Sequence, residues 1–307
     1  MDRTFEGKLI TVSGGLYTAD VGGKDVFCRA RGLFRHEDIK PSVGDNVLIT
    51  LGENEGDDAS IDKILERKNV LIRPPMANLD ILFCVIAAAR PEPSTMLSDK
   101  LITISEHNHI EPVPIISKCD LDASRAREIS DEYKKCGFDS FVFSNETGEG
   151  IDELREYIRV KCAAKTSAVA GVSGAGKSSL LNSLFPTLRQ ETGALSEKIM
   201  RGKNTTRQTR LFRLSELGSA ESGYFADTPG FSMIDFERFD FYTLDDLPYV
   251  FREFDEHIGH CRYTKCTHTK EEGCAILDAL ERGEIPRFRH ESYLELYAEL
   301  KKKKSYR

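Results

Sequence analysis

The chain has 307 residues, 40% of them hydrophobic and 30% charged, and a net charge of −7. That is enough for two or three domains of ordinary size with a sizeable core. It excludes a membrane-spanning protein, because the longest apolar run, Ile81 to Ala89, is far short of the ~20 residues a span requires, and it gives no global signal for binding polyanions, so any RNA contact must come from a local patch. Met1 to Leu9 carries Asp2, Arg3, Glu6 and Lys8. Such a charged start does not read as an export signal, and a cytoplasmic protein is expected.

Five short stretches come first: Gly7 to Val12, Tyr17 to Val21, Val26 to Ala30, Asn46 to Thr50 and Ile61 to Leu65. Gly14-Gly15, Gly22-Gly23, Pro41 and Gly44-Asp45 punctuate them. Short strands with turn signals of this kind predict a small β-barrel of OB type. Arg73-Pro74-Pro75 follows as a stiff linker. The pattern then alternates. Strands are predicted at Ile81 to Ala87, Val113 to Ile116, Phe138 to Phe143, Ala168 to Ala170 and Gly223 to Ala226. Helices are predicted at Ser98 to Asn108, Ser124 to Cys136, Ile151 to Cys162 and Ser178 to Leu184. This is the signature of an α/β domain with a parallel-type sheet covered on both faces. Beyond about Asp235 only helices are predicted, at Leu244 to Phe254, Cys274 to Arg282 and Tyr293 to Lys301. The division expected is 1–72, 73–234 and 235–307.

The first chemical signal is Gly171-Val172-Ser173-Gly174-Ala175-Gly176-Lys177-Ser178, followed by Ser179. It matches G-x-x-x-x-G-K-[ST] and lies between a predicted strand and a predicted helix, the context that gives the motif its meaning. Its glycines let backbone N–H groups turn inward around a polyphosphate, and the helix N-terminus adds positive potential. Lys177 is placed to reach the β- and γ-phosphates, and Ser178 to ligate Mg²⁺. Asp227-Thr-Pro-Gly230 follows a predicted strand. Asp227 suits Mg²⁺ and the Gly230 amide suits γ-phosphate sensing. Gly202 to Arg207 is a polar loop with two threonines, Thr205 and Thr206. It fits a switch segment closing over Mg²⁺ and the γ-phosphate, with Thr206 favoured over Thr205. No glutamine follows Gly230; Phe231 has nothing with which to orient a water, so intrinsic turnover is expected to be slow.

Ser117-Lys118-Cys119-Asp120 follows another strand and resembles the guanine-reading N-K-x-D element of GTPases, with serine for asparagine. A carboxylate at Asp120 can accept from both the N1–H and the 2-amino group of guanine, a pair adenine lacks. Ser144-Asn145 sits where the last GTPase motif falls, its amides suited to the guanine O6. In ordinary GTPases the phosphate loop precedes these elements. Here it follows them, so the domain is circularly permuted.

Three cysteines fall within fourteen residues with a histidine among them: Cys261, Cys266, His268 and Cys274. Such a set at short spacing in a chain without an export signal favours metal over disulfide, and Cys₃His is a closed structural Zn²⁺ set. One structural zinc is expected. Of the other five cysteines, four are expected to behave as small hydrophobes, while Cys119 belongs to the guanine motif.

Together these features resemble the ribosome small-subunit-dependent GTPase A family, over nearly the whole chain. The resemblance rests on Arg73-Pro74, Asn78-Leu79-Asp80, the run from Gly171 to Asn182, Asp227 to Phe231 and the C-x₄-C-x-H-x₅-C spacing. It implies an OB domain, a permuted GTPase domain and a zinc-binding helical domain. It also implies a monomeric GTPase acting in late maturation of the small ribosomal subunit, stimulated by that subunit, in contact with its rRNA and free of membranes. The alternative is a permuted GTPase switch acting on another RNA or protein. Two residues depart from the family pattern: Ser117, and Asn204 where a histidine is usual. Residues 1–70 are acidic overall, with 13 Asp+Glu against 10 Lys+Arg, while residues 282–307 carry 8 Lys+Arg against 4 Glu. Lys24 to Arg35 and that C-terminal segment are therefore the expected phosphate-backbone contacts.

Overall fold

The computed structural model describes residues 4–30, 40–52, 58–72, 75–185, 209–216, 222–227 and 240–305. Its strands begin with β1 (Thr4–Ser13), β2 (Leu16–Val21), β3 (Lys24–Ala30), β4 (Asn46–Thr50) and β5 (Ala59–Ile64). β1–β2 and β2–β3 are hairpins. Their turns, Gly14-Gly15 and Gly22-Gly23, all have positive φ, the conformation a tight hairpin matched to strand twist requires. β1 pairs antiparallel with β4, β4 with β5, and β5 parallel with β3, which closes the barrel. Leu9, Ala19, Cys28, Val47, Ile49, Ala59 and Ile61 fill it. A two-residue pair, β6 (Val70–Leu71) with β7 (Met76–Ala77), flanks the proline linker.

Through α4 the remaining elements alternate as the pattern predicts: β8 (Ile81–Ala87), α1 (Thr95–His107), β9 (Glu111–Ser117), α2 (Ala123–Lys135), β10 (Phe141–Phe143), α3 (Ile151–Lys161), β11 (Thr166–Gly171) and α4 (Lys177–Leu184); among the described residues a strand the sequence does not predict, β12 (Arg210–Arg213), then precedes the predicted β13 (Tyr224–Asp227). β8 is buried at all seven residues, the mark of a strand covered on both faces. The helix starts and stops obey local chemistry. The Asp122 carboxylate caps α2 by accepting from the Arg125 amide at 2.9 Å, and Lys134 and Lys135 lie in its last turn, where cations meet the negative end of the helix dipole.

The chain packs as two compact units. The first comprises Met1–Ile81, Tyr157–Val169 and Phe185–Phe231, the second Leu82–Glu156, Ala170–Leu184 and Ser232–Arg307. In the first, the strand order is β11-β13-β12-β1-β2-β3-β5-β4. β12 runs antiparallel to β13, so the sheet is mixed, and β1 bonds to β12 at Thr11–Arg210. The barrel is thus continuous with β12. Arg213 reinforces the join: its Nε donates to Asp20 at 2.7 Å and its terminal nitrogens to Asp25, at 2.5 Å, and Glu216. The Tyr224 hydroxyl adds a 2.7 Å bond to Asp20. Burial favours the neutral acid at Asp20, but these hydrogen bonds win and hold it below the usual carboxylate range.

In the second unit the order is β10-β9-β8, with β9 and β10 parallel. Past residue 240 there are no strands among the described residues, as expected. The helix predicted at Leu244–Phe254 is instead two short 3-10 turns, Leu247–Val250 and Arg252–Phe254, separated by an extended Phe251. Pro248 disfavours helical geometry at the residue before it, and the extended Phe251 sends its ring into the core, where it is fully buried. Two helices follow, α5 (Ala275–Glu281) and α6 (Arg287–Ser305), α6 being twice the predicted length. Its first turn holds Arg289, which is 0% exposed. The Arg289 guanidinium donates to Asp99 of α1 and to Glu253, both at 2.6 Å, and lies 4.6 Å from the Phe251 ring centroid. Ser292 and Tyr133 donate to the same Asp99 carboxylate at 2.5 and 2.8 Å. Burial favours the neutral acid at Asp99, and Arg289 and the two hydroxyls oppose it. Burial outweighs them and raises its pKa, while the three converging donors favour the charged form.

Candidate functional site

β11 delivers the chain into the phosphate loop at Gly171, whose φ is +145°; a Cβ there would lie 2.4 Å from the Val85 carbonyl oxygen of β8. Only glycine fits. Gly174 and Gly176 also have positive φ, while Ala175 is buried and anchors the turn. Val172 is half-buried, and Ser173 and Gly174 are exposed at the rim. α4 starts at Lys177 and buries Leu180, Leu181 and Leu184, leaving Ser178 and Ser179 exposed at its N-terminus. The first amides of a helix have no partner within it, so this end of α4 is suited to an anion. The Lys177 ammonium donates to the carbonyls of Gly171 and Val172 at 2.8 and 2.7 Å, which draws it back over the loop.

The candidate base-reading segments lie in the same unit. Ser117 ends β9, buried, its hydroxyl donating to the Ala175 carbonyl at 2.6 Å and lying 3.3 Å from that of Ile86. The serine thus ties β9 to the phosphate loop. Lys118 has a φ of +61° and its ammonium donates to the Arg90 carbonyl. The Cys119 side chain is buried; burial, then the nearby Glu149, pushes its thiol up to about 11. Asp120 is exposed, and one of its oxygens accepts from the Ser144 hydroxyl at 2.5 Å. That leaves the other oxygen open to a base.

Ser144 has a role the sequence did not disclose. Besides bracing Asp120, its oxygen accepts from the amides of Glu146 and Thr147. The turn behind it is held by Gly150, where a Cβ would lie 2.0 Å from the Val142 carbonyl oxygen. Asn145 reaches the other way, toward α4: its side-chain oxygen accepts from Ser183 at 3.1 Å. The T-G-E-G run at 147–150 was the available signal for this turn. We expect Asp120→Asn to shift preference from guanosine toward xanthosine nucleotides, because an amide offers a donor where xanthine carries a carbonyl. Competition binding with the two diphosphates checks this, and an unchanged preference removes Asp120 from the base site.

Thr205, Thr206 and Gly230 lie outside the described residues, as do Asn204 and Phe231. Asp227 ends β13 with its backbone paired to Arg210, and its carboxylate is likewise outside the description.

The four candidate metal ligands come together. Their ligand atoms all lie within 4.8 Å of one another. Cys261 and Cys274 sulfurs are 3.6 and 3.5 Å from His268 Nδ1, and 3.9 Å apart. Zn–S and Zn–N bonds of about 2.3 and about 2.0 Å give tetrahedral edges of about 3.8 Å between sulfurs and about 3.5 Å from sulfur to nitrogen. The set therefore fits Zn²⁺ with no position left for water. Surrounding residues fix the loop: His290 donates to the His268 carbonyl and Tyr293 to that of Thr267, both at 2.8 Å. Glu271 accepts from the amides of Thr267 and Thr269 at 3.0 Å. Burial would raise its pKa, but the Thr267 hydroxyl and the amides of Lys270 and Thr267 bring it down to about 2. Purified protein should carry about one Zn²⁺ per chain, read by elemental analysis, and Cys266→Ser should lose it. Chelation should loosen α5 and α6 first, since metal binding is folding free energy for such a loop. Full zinc in the serine variant would disprove the ligand set.

A nucleotide-type phosphate loop, base-reading segments that precede it in the chain, a five-stranded barrel and a Cys₃His cluster define a class: the circularly permuted GTPases. Comparison with known proteins agrees. The chain resembles a solved Thermotoga maritima structure, YjeQ, at a TM-score of 0.78 and 31% identity over 97% of this chain and 98% of that one. It resembles another, YloQ, described as a circularly permuted GTPase, at 0.76 and 32%, over 97% and 96%. The RsgA GTPase family model matches residues 64–237 and the RsgA N-terminal domain residues 6–58. The chain belongs to the RsgA GTPase family. A Geobacillus thermodenitrificans relative, named small ribosomal subunit biogenesis GTPase RsgA, is 40% identical over 97% of this chain and 98% of its own length. A Clostridium botulinum relative of the same name is 37% identical over 96% and 97%.

Proposed function

We propose that this protein is a GTP-driven switch that binds the small ribosomal subunit and assists its late maturation, the subunit stimulating hydrolysis. The observation that carries the nucleotide half is the tie of Ser117 to the carbonyl of Ala175, which holds base-reading and phosphate-binding segments as one site. The ribosomal half is supported by the names of relatives that span the full chain.

In this reading Gly171 to Ser179 cradle the phosphates and Lys177 holds charge against the β- and γ-oxygens. Asp120, braced by Ser144, reads guanine with the amides of Ser144 and Asn145. The Mg²⁺ roles of Ser178, Thr206 and Asp227, and the γ-phosphate sensing of Gly230, rest on sequence spacing; the ion would neutralise charge on the transferred group. Cys261, Cys266, His268 and Cys274 hold a structural Zn²⁺. Segments 1–72, 73–234 and 235–307 serve as barrel, GTPase and zinc domains, with Lys24 to Arg35 and residues 282–307 facing rRNA. The protein works as a cytoplasmic monomer.

With no water-orienting side chain at Phe231, the site waits for its partner to order the Gly202–Arg207 loop or to supply a missing group. Such a contribution is worth roughly 10³–10⁵ in rate. Single-turnover hydrolysis with small subunits, with large subunits and with neither tests this. Stimulation by small subunits alone is expected. Equal rates in all three, or fast turnover by the free protein, would show that the site is complete without a partner.

A further inference from the structure

We propose that Asn145 is a positioning residue for guanine-nucleotide binding, and that it shares with Ser117 a tether that one longer residue at 117 would otherwise make alone. The inference rests on the guanine reading of Ser117 to Asp120.

Ser117 has a single hydroxyl proton, and the Ala175 carbonyl takes it at 2.6 Å. The hydroxyl has no second proton to donate toward the segment that carries Ser144 and Asn145. The gap is bridged from the opposite side. The Asn145 amide nitrogen points at the Gly176 carbonyl from 3.5 Å, and its oxygen accepts from Ser183 of α4 at 3.1 Å. Gly176 is where the two halves of the tether meet. A Cβ built on it would lie 3.4 Å from Asn145 Nδ2 and 3.9 Å from both Cβ and Oγ of Ser117. Asn145 therefore occupies the space beside the phosphate loop into which a longer residue at 117 would extend.

The connection runs on to the base. Asn145 is the neighbour of Ser144, and Ser144 braces the Asp120 carboxylate at 2.5 Å. Fixing the Asn145 side chain against the phosphate loop and α4 thus fixes the distance between the base-reading carboxylate and the phosphate cradle. A nucleotide must span both, so this distance sets affinity. Residues that share one network are expected to be non-additive on mutation.

The experiment is fluorescence titration with a labelled GDP on the full chain, comparing wild type, Asn145→Ala, Ser117→Asn and the double variant. Asn145→Ala should weaken binding roughly three- to tenfold, the scale of one hydrogen bond. Ser117→Asn alone should give no gain, because Asn145 fills the space its amide needs. The double variant should bind within about threefold of wild type, the asparagine at 117 now reaching where Asn145 did. A purely structural loss at 145 would not be rescued from 117. Asn145→Asp, which keeps the acceptor for Ser183 and loses the donor to Gly176, should weaken binding in the same direction; it stands in if the alanine variant fails to fold. Unchanged affinity in Asn145→Ala, or a double variant no better than the single one, overturns the proposal. Asp120→Asn is the separate control. If it loses GDP while Asn145→Ala does not, only the role of Asn145 falls; if wild type does not bind GDP, the base-site reading falls with it.

Discussion

Lys177→Ala should lower GTP hydrolysis by roughly 10²–10³-fold, the scale on which removing one preorganised electrostatic partner of a transition state is felt. The ammonium is held by the carbonyls of Gly171 and Val172, at the N-terminus of a helix whose apolar face is Leu180, Leu181 and Leu184. Lys177 is not among the buried residues of α4, so the variant should fold normally, with an unfolding midpoint near wild type. Loss of turnover in a folded protein is the expected result, measured by phosphate release under saturating GTP. Wild-type turnover in the variant would take Lys177 out of the phosphate site.

Arg289→Ala should cost about 3–5 kcal/mol of stability, the range for stripping one partner from a buried ion pair. Arg289 and Asp99 are both fully buried, and Glu253 nearly so. Removing the guanidinium leaves two carboxylates facing an apolar interior. The loss should appear first as loosening of α6 from α1, which otherwise meet also through Lys100 and Glu299 at 2.6 Å. Denaturant unfolding measures the cost, and hydrogen exchange locates it. Arg282→Ala is the comparison: its pair with Glu284 is solvated, and stability should hardly move. Equal effects of the two substitutions would show that burial of Arg289 carries no energetic weight.

What the sequence disclosed was local chemistry. Paired glycines at 14–15 and 22–23 announce hairpins because only such turns match strand twist, and the phosphate loop is legible because its glycines and lysine are adjacent in the chain. Cys261 to Cys274 read as one site for the same reason. What it hid depended on distant neighbours. β12 is four residues, Arg210 to Arg213, too short to show a period beside a polar loop; β13 and β1 make it a strand. The first turn of α6 reads as polar because Arg289 and His290 look like surface residues until Asp99, Glu253 and the His268 carbonyl are brought to them. Pro248 marks a break inside the Leu244 to Phe254 stretch, whose apolar spacing otherwise reads as helical. The roles of the Ser144 and Asn145 side chains were hidden too, since their partners, Asp120 and Ser183, are 24 and 38 residues away.

The pairing of β1 with β12 has a consequence for how the chain is made. Thr11 meets Arg210, so about 200 residues must be synthesised before that part of the barrel's first strand finds its neighbour. At roughly 5–20 residues per second the wait is roughly 10–40 s. Through that interval the stretch of β1 around Thr11 is an open strand edge, able to accept a strand from another nascent chain. Asp20 and Asp25 likewise face water until Arg213 arrives. Two unpaired carboxylates beside an open edge repel a like edge, so the same residues that later bind Arg213 protect the barrel while it waits.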